Sequence, residues 1–134
     1  MVMLDTNAVA GLLDPDDALN RCTTEAVMAW EDRGASFAVS LITWSELRVG
    51  AIRRGQAAED ALRGFRVAVI DEILVLSESI AEVAARIRAE DLSVRVPDAL
   101  ILATAHELGV ATLLTADRKI AKISPELVQL IRPH

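Results

Sequence analysis

A chain of 134 residues, 52% hydrophobic and 25% charged, is long and apolar enough to bury one core and reads as a single globular domain. Its net charge of −6 and pI near 4.9 weigh against an extended basic face for nucleic acid, though less so if several acids gather in one site. Aromatics at 3% are too few for a base-stacking platform, the lone Cys22 excludes a disulfide framework or cysteine zinc site, and no apolar run approaches the ~20 residues of a membrane span.

Val2, Met3 and Leu4 predict a short buried strand, and Ala8 to Leu13 a helix. With Asp5 close behind and no basic flank, this start does not read as a signal peptide, so the cytoplasm is the expected compartment. DPDD at 14–17 predicts a turn, with Asp17 capping a helix from about Ala18 to Arg33 and Gly34 ending it. A strand over 35–40 follows, then a helix over 41–54 that Gly55 closes, then a helix from about Ala57 to Phe65. AVIDEILVLS (68–77) is β-rich but interrupted by Asp71 and Glu72, and SESIAEVAARIRAEDL predicts a helix. PDALILATAHELG (97–109) begins with a first-turn proline and closes on glycine. A strand over 110–116, a short helix over 117–123 and a last strand over 128–131 complete the chain. Strands alternating with helices predict an α/β domain with a parallel sheet, and all-apolar strand runs predict cover on both faces.

In open α/β sheets, ligands bind outside the carboxyl ends of the strands. Asp5 follows the first strand, Asp117 follows the strand ATLLT, Asp98 lies in the first turn of an almost wholly apolar helix, and Glu46 lies in the helix after the 35–40 strand. Each has an ordinary reading: Asp98 and Asp117 as helix N-terminal acids, Glu46 as a solvated helix residue. Asp5 is hardest to dismiss, because the strand before it should be central. If the four meet at one sheet edge they repel and their pKa values rise, a conflict that a divalent cation removes. All-oxygen ligands select a hard ion such as Mg²⁺ or Mn²⁺. Metal-assisted phosphodiester hydrolysis is the chemistry that follows most directly.

The segments LDTNA (4–8), ITWSEL (42–47), PDALILATA (97–105) and LLTAD (113–117) resemble, in order and spacing, the PIN-domain proteins, most closely the VapC-like toxins of bacterial toxin–antitoxin pairs. The resemblance spans essentially the whole chain. It implies a three-layer α/β/α fold with a central, mainly parallel sheet, and a Mg²⁺- or Mn²⁺-dependent endoribonuclease. It assigns Asp5, Glu46, Asp98 and Asp117 as an acidic tetrad that is both catalytic and metal-binding, with Asp5 and Asp98 the first-choice ligands and Glu46 a ligand or base. Thr6, Asn7 and Thr115 match the polar residues that hydrogen-bond such acids. A homodimer and a small antitoxin that blocks the site are also implied. Where many relatives carry a Phe shortly after the last acid, this chain has Ile120, a position read as packing.

Beside the tetrad, Arg53 and Arg54 follow Glu46 along its helix, and Arg118 and Lys119 adjoin Asp117; these four are candidates for an RNA-lining rim. Gly50, one turn after Glu46, leaves room for a close approach or is simply tolerated. Trp44 reads as core. His106 and His134 have no partners at metal or catalytic spacing and take no role. Other functions fit less well. A receiver-type signalling domain wants an acidic pair after the first strand and an acceptor Asp after a middle one. A haloacid-dehalogenase-like phosphatase wants an Asp where Asn7 stands. RNA processing without an antitoxin keeps the same chemistry in a different setting, and a PIN-like fold kept only for binding would not need the tetrad.

Overall fold

The computed structural model describes residues 1–133. Strands β1 (Val2–Leu4), β2 (Phe37–Ser40), β3 (Glu72–Leu74), β4 (Thr112–Thr115) and β5 (Val128–Leu130) form one sheet in the order β3-β2-β1-β4-β5. All four pairings are parallel, with Met3 opposite Ala38 on one side and Leu113 on the other. The helices are α1 (Thr6–Leu13), α2 (Asn20–Asp32), α3 (Leu41–Arg54), α4 (Gln56–Ala68), α5 (Glu78–Glu90), α6 (Val96–Glu107) and α7 (Arg118–Ile123). Among the described residues no helix is long and apolar enough to cross a membrane.

The period-two pleat divides the strand side chains between two cores. Val2, Leu4, Phe37, Val39 and Leu114 pack with Ala8 and Val9 of α1 and Val27 of α2, with Trp44, Leu47 and Phe65 half-buried against them. Met3, Ala38 and Leu113 face the other way, onto Ile101, Leu102 and Ala105 of α6 and Ile120 of α7. Helices thus cover both faces, the three-layer arrangement expected, with the sheet parallel throughout. Trp44 and Ile120 are packing residues, as read.

Several boundaries differ for local reasons. The second helix starts at Asn20, not Ala18: Asp17 accepts a hydrogen bond from the Leu19 amide, and so closes the turn before the helix instead of capping it. Helix α1 starts two residues early because Asp5 itself caps it, placing Thr6 and Asn7 in its first turn. The run 68–77 holds a strand only over Glu72–Leu74; Asp71 uses its carboxylate to accept from the Phe37 amide, and Ser77 caps α5. His134 lies outside the described residues.

The chain leaves β1 toward β2 and β3, then crosses back to β4 on the far side of β1. Between β1 and β4 the connections therefore depart in opposite directions, which opens a crevice at the strand carboxyl ends.

Candidate active site

Asp5 sits at that switch point. It is 5% exposed, and its extended backbone ends β1 while its carboxylate Oδ1 accepts from the Thr6 amide at 2.8 Å to start α1. The other oxygen, Oδ2, accepts from the Thr115 hydroxyl at 2.6 Å, and Asn7 Nδ2 lies 3.5 Å away. Thr115 ends β4, and its hydroxyl also accepts from the Asp117 amide at 3.1 Å and from Asn7 Nδ2 at 3.3 Å. One donation and two acceptances use the full capacity of a hydroxyl. Asn7 Oδ1 accepts from the Ala116 amide at 3.0 Å, so Thr115 and Asn7 together lock the β1 and β4 ends in register.

All of Asp5's partners are neutral, and among the described residues no basic side chain pairs with it. Its pKa is raised, first by burial and further by the charges of Asp98 and Asp117, while the hydrogen bonds from Thr115 and Thr6 pull it down. Asp98 and Asp117 therefore lie near enough to repel it.

The three other acids stand on the rim. Glu46, exposed on α3, accepts from the Thr6 hydroxyl at 2.9 Å, and Thr6 also approaches the Thr43 hydroxyl at 3.4 Å. Helix α3 is fixed at its start by Ser40, whose buried hydroxyl accepts from the Thr43 amide at 3.0 Å. Asp117 is the N-cap of α7, with Oδ1 accepting from the Lys119 and Ile120 amides at 2.8 and 3.3 Å. Its ordinary reading as a cap is correct, and the cap leaves Oδ2 without a protein partner. Asp98 caps nothing: α6 has no side-chain cap, and Asp98 Oδ2 is held instead by Arg95 Nε at 3.2 Å.

Each rim acid thus keeps one oxygen free of protein hydrogen bonds among the described residues. Glu46 rests on Thr6 and Asp98 on Arg95, and no three acids are drawn together tightly enough to chelate an ion as they stand. The donor set nonetheless fits a hard divalent cation: oxygens only, one buried carboxylate with no counter-charge, and neighbours whose repulsion an ion would relieve.

Of the expected basic rim, Arg54 lines a groove of about 230 Å³ with Glu46, Thr6, Leu47 and Gly50, between α1, α3 and α4. A Cβ at Gly50 would meet nothing within 4 Å, so this glycine faces open groove. Arg53 and Arg118 are exposed and unpaired among the described residues. Lys119 is not a free rim cation. Its ammonium donates to the Ser93 carbonyl at 2.7 Å and the Ser93 hydroxyl at 2.8 Å, tying α7 to the α5–α6 loop. His106, in the last turn of α6 at the opposite end from Asp98, meets the Ser124 hydroxyl at 2.8 Å and has a structural partner. Sequence reasoning passed over Arg95, although its position three residues before Asp98, with Pro97 starting a helix between them, marks an i,i+3 pair.

A family profile described as the PIN domain matches residues 2–125. Among solved structures, a toxin–antitoxin complex from Klebsiella pneumoniae is similar at 30% identity and a TM-score of 0.77, covering 100% of this chain and 98% of that one. FitAcB from Neisseria gonorrhoeae is similar at 26% identity and a TM-score of 0.74, over 99% of this chain and 98% of the other. VapC20 from Mycobacterium tuberculosis, a sarcin-ricin loop cleaving toxin, shares the fold at 16% identity and a TM-score of 0.74, over 98% and 100% of the two chains. A comparison with curated proteins found no match. With a profile spanning nearly its whole length and the parallel α/β/α architecture to match, this chain belongs to the PIN-domain family.

Proposed function

We propose that the protein is a metal-dependent endoribonuclease, the toxin of a toxin–antitoxin pair, that hydrolyses RNA phosphodiester bonds at the Asp5–Glu46–Asp98–Asp117 site. The observation that carries this reading is Asp5: a buried carboxylate at the switch point of the sheet, without a counter-charge among the described residues and raised in pKa by burial and two neighbouring acids. Membership of the PIN-domain family and similarity to structures from toxin–antitoxin complexes support it.

Asp5, Asp98 and Asp117 would hold Mg²⁺ or Mn²⁺, with Glu46 as a further ligand or as the base. A divalent ion there supplies a lowered pKa for the attacking water and charge neutralisation at the phosphate and leaving oxygen. The chain's own contribution is orientation. Thr115 and the Thr6 amide fix both oxygens of Asp5, and the Thr6 hydroxyl aims Glu46 toward the same crevice. Glu46, exposed and free at one oxygen among the described residues, would take a proton from water. The Arg54 side of the groove gives an RNA backbone a cationic border. A small cognate antitoxin and a homodimer belong to the same reading, and light scattering of the protein alone and with a candidate antitoxin measures both.

The deciding test is cleavage of a total RNA pool with Mn²⁺ or Mg²⁺ by wild type, Asp5→Asn and Asp98→Asn. Discrete, metal-dependent cuts that vanish in both variants are expected. Cuts that survive both variants would place the activity elsewhere.

A further inference from the structure

The loop between α5 and α6 is fixed from three directions. Lys119 holds Ser93 by its carbonyl and hydroxyl, and Arg88 donates to the Val94 carbonyl at 2.8 Å and the Leu92 carbonyl at 3.5 Å. Asp91 accepts from the Ser93 amide at 3.0 Å, and Val94 is buried in the core beneath α5 and α6. The next residue is Arg95. Its backbone is therefore anchored while its side chain remains 70% exposed, with the guanidinium at the mouth of the acidic site and on Asp98.

Asp98 is the strongest influence on Arg95, and the charges of Glu46 and Asp117 act on it in the same sense. One cation with an anchored backbone and an exposed head thus pairs with Asp98 within electrostatic reach of Glu46 and Asp117. An exposed ion pair is a weak hold, easily exchanged for a doubly charged ion on the same carboxylate. Arginine's planar fork is also suited to a phosphate, which it binds through two parallel hydrogen bonds.

We infer that Arg95 is a phosphate-binding residue of the site that rests on Asp98 until a divalent ion takes that carboxylate, and then turns to an RNA phosphate beside the cleavage point. The inference deepens the ribonuclease reading and rests on it. It also gives the metal-free site a resident counter-ion for Asp98, which Asp5 lacks.

Two measurements on Arg95→Gln and Arg95→Lys test it. Manganese binding to the metal-free protein is followed by the electron paramagnetic resonance of free Mn²⁺. Retention of a total RNA pool on filters is measured in Ca²⁺ at several salt concentrations. Arg95→Gln should bind Mn²⁺ about two- to fivefold more tightly, the scale of one lost exposed ion pair. Its RNA retention should weaken, with the log–log salt slope smaller by about 0.7, the share of one phosphate contact on a single strand. Arg95→Lys should recover most of the slope. A residue that merely supports the loop would weaken both properties together, so opposite signs are the signature.

Unchanged Mn²⁺ affinity or an unchanged salt slope in Arg95→Gln overturns the inference while leaving the ribonuclease reading intact. A folded wild type that binds no Mn²⁺ overturns that reading, and this one with it.

Discussion

Asp5 carries a conflict between stability and use. Its carboxylate is buried among neutral donors, so folding raises its pKa above the ordinary carboxylate value. Between those two values the folded state binds more protons than the unfolded one. The stability of the metal-free protein therefore falls as pH rises through that window, and stays lower above it. In EDTA, Asp5→Asn should flatten the fall with pH while abolishing cleavage; its amide has one accepting oxygen for the two donors that the carboxylate satisfies, so the gain from losing the buried charge is offset by about 1–3 kcal/mol. Thermal melts of both proteins across the acid range check this; a variant whose stability falls with pH as steeply as that of wild type would contradict it. Thr115 is the complementary case. Thr115→Val removes the donor to Asp5 and leaves the Asp117 amide without its partner, at about 1–3 kcal/mol. Mn²⁺ affinity should fall about 10- to 100-fold, as when an oriented ligand loses its support. Calorimetric titration with Mn²⁺ reads that loss, and an unchanged affinity would remove Thr115 from the site.

At the scale of elements, the site is delivered by helix starts. Asp5 caps α1, Asp117 caps α7 and Ser40 caps α3, so two of the candidate ligands are themselves helix caps. Ser40→Ala should cost about 1 kcal/mol and lower activity as well, because α3 holds Thr43 and Glu46 within its first two turns. Rate and Tm falling together, without a change at Gly50, is the expected pattern. Gly50→Ala tests the opposite edge of α3. Nothing obstructs the added methyl, so Tm should rise by the ~1 kcal/mol difference in helix propensity. The methyl also enters the groove beside Glu46, and any loss of RNA or antitoxin binding with a raised Tm would locate that contact.

Helix periodicity was legible where an apolar stripe had clear ends: 41–54 and the run from Pro97 were read almost as they fold. The 68–77 run was not, since Asp71 and Ser77 commit their side chains to neighbouring backbone, a choice that depends on where Phe37 and α5 lie. The partner of Lys119 was hidden for a similar reason. A lysine beside a candidate ligand reads as rim, until the fold brings Ser93 under its ammonium.

For the whole molecule, α6 is the element on which site and core meet. Ala99, Ile101, Leu102, Ala103, Thr104 and Ala105 are buried in it, while Asp98 rides on its first turn. Leu102→Ala should destabilise by about 2–5 kcal/mol, a large part of the 5–15 kcal/mol typical of a domain. Denaturant melts measure it, and a cost below about 1 kcal/mol would mean that the two-sided packing collapses more readily than described.

By itself the amino-acid sequence determined the order of elements and the parallel α/β class and singled out four acids as candidates, because strand-end acids and apolar helices are local patterns with a period. Only the tertiary structure decided which oxygen of each acid is occupied, that among the described residues Asp5 has no counter-charge while Asp98 has Arg95, and that Lys119 is tied to Ser93. Those outcomes depend on contacts between residues far apart in the chain, such as Asp5 with Thr115, and on burial, which no local pattern carries.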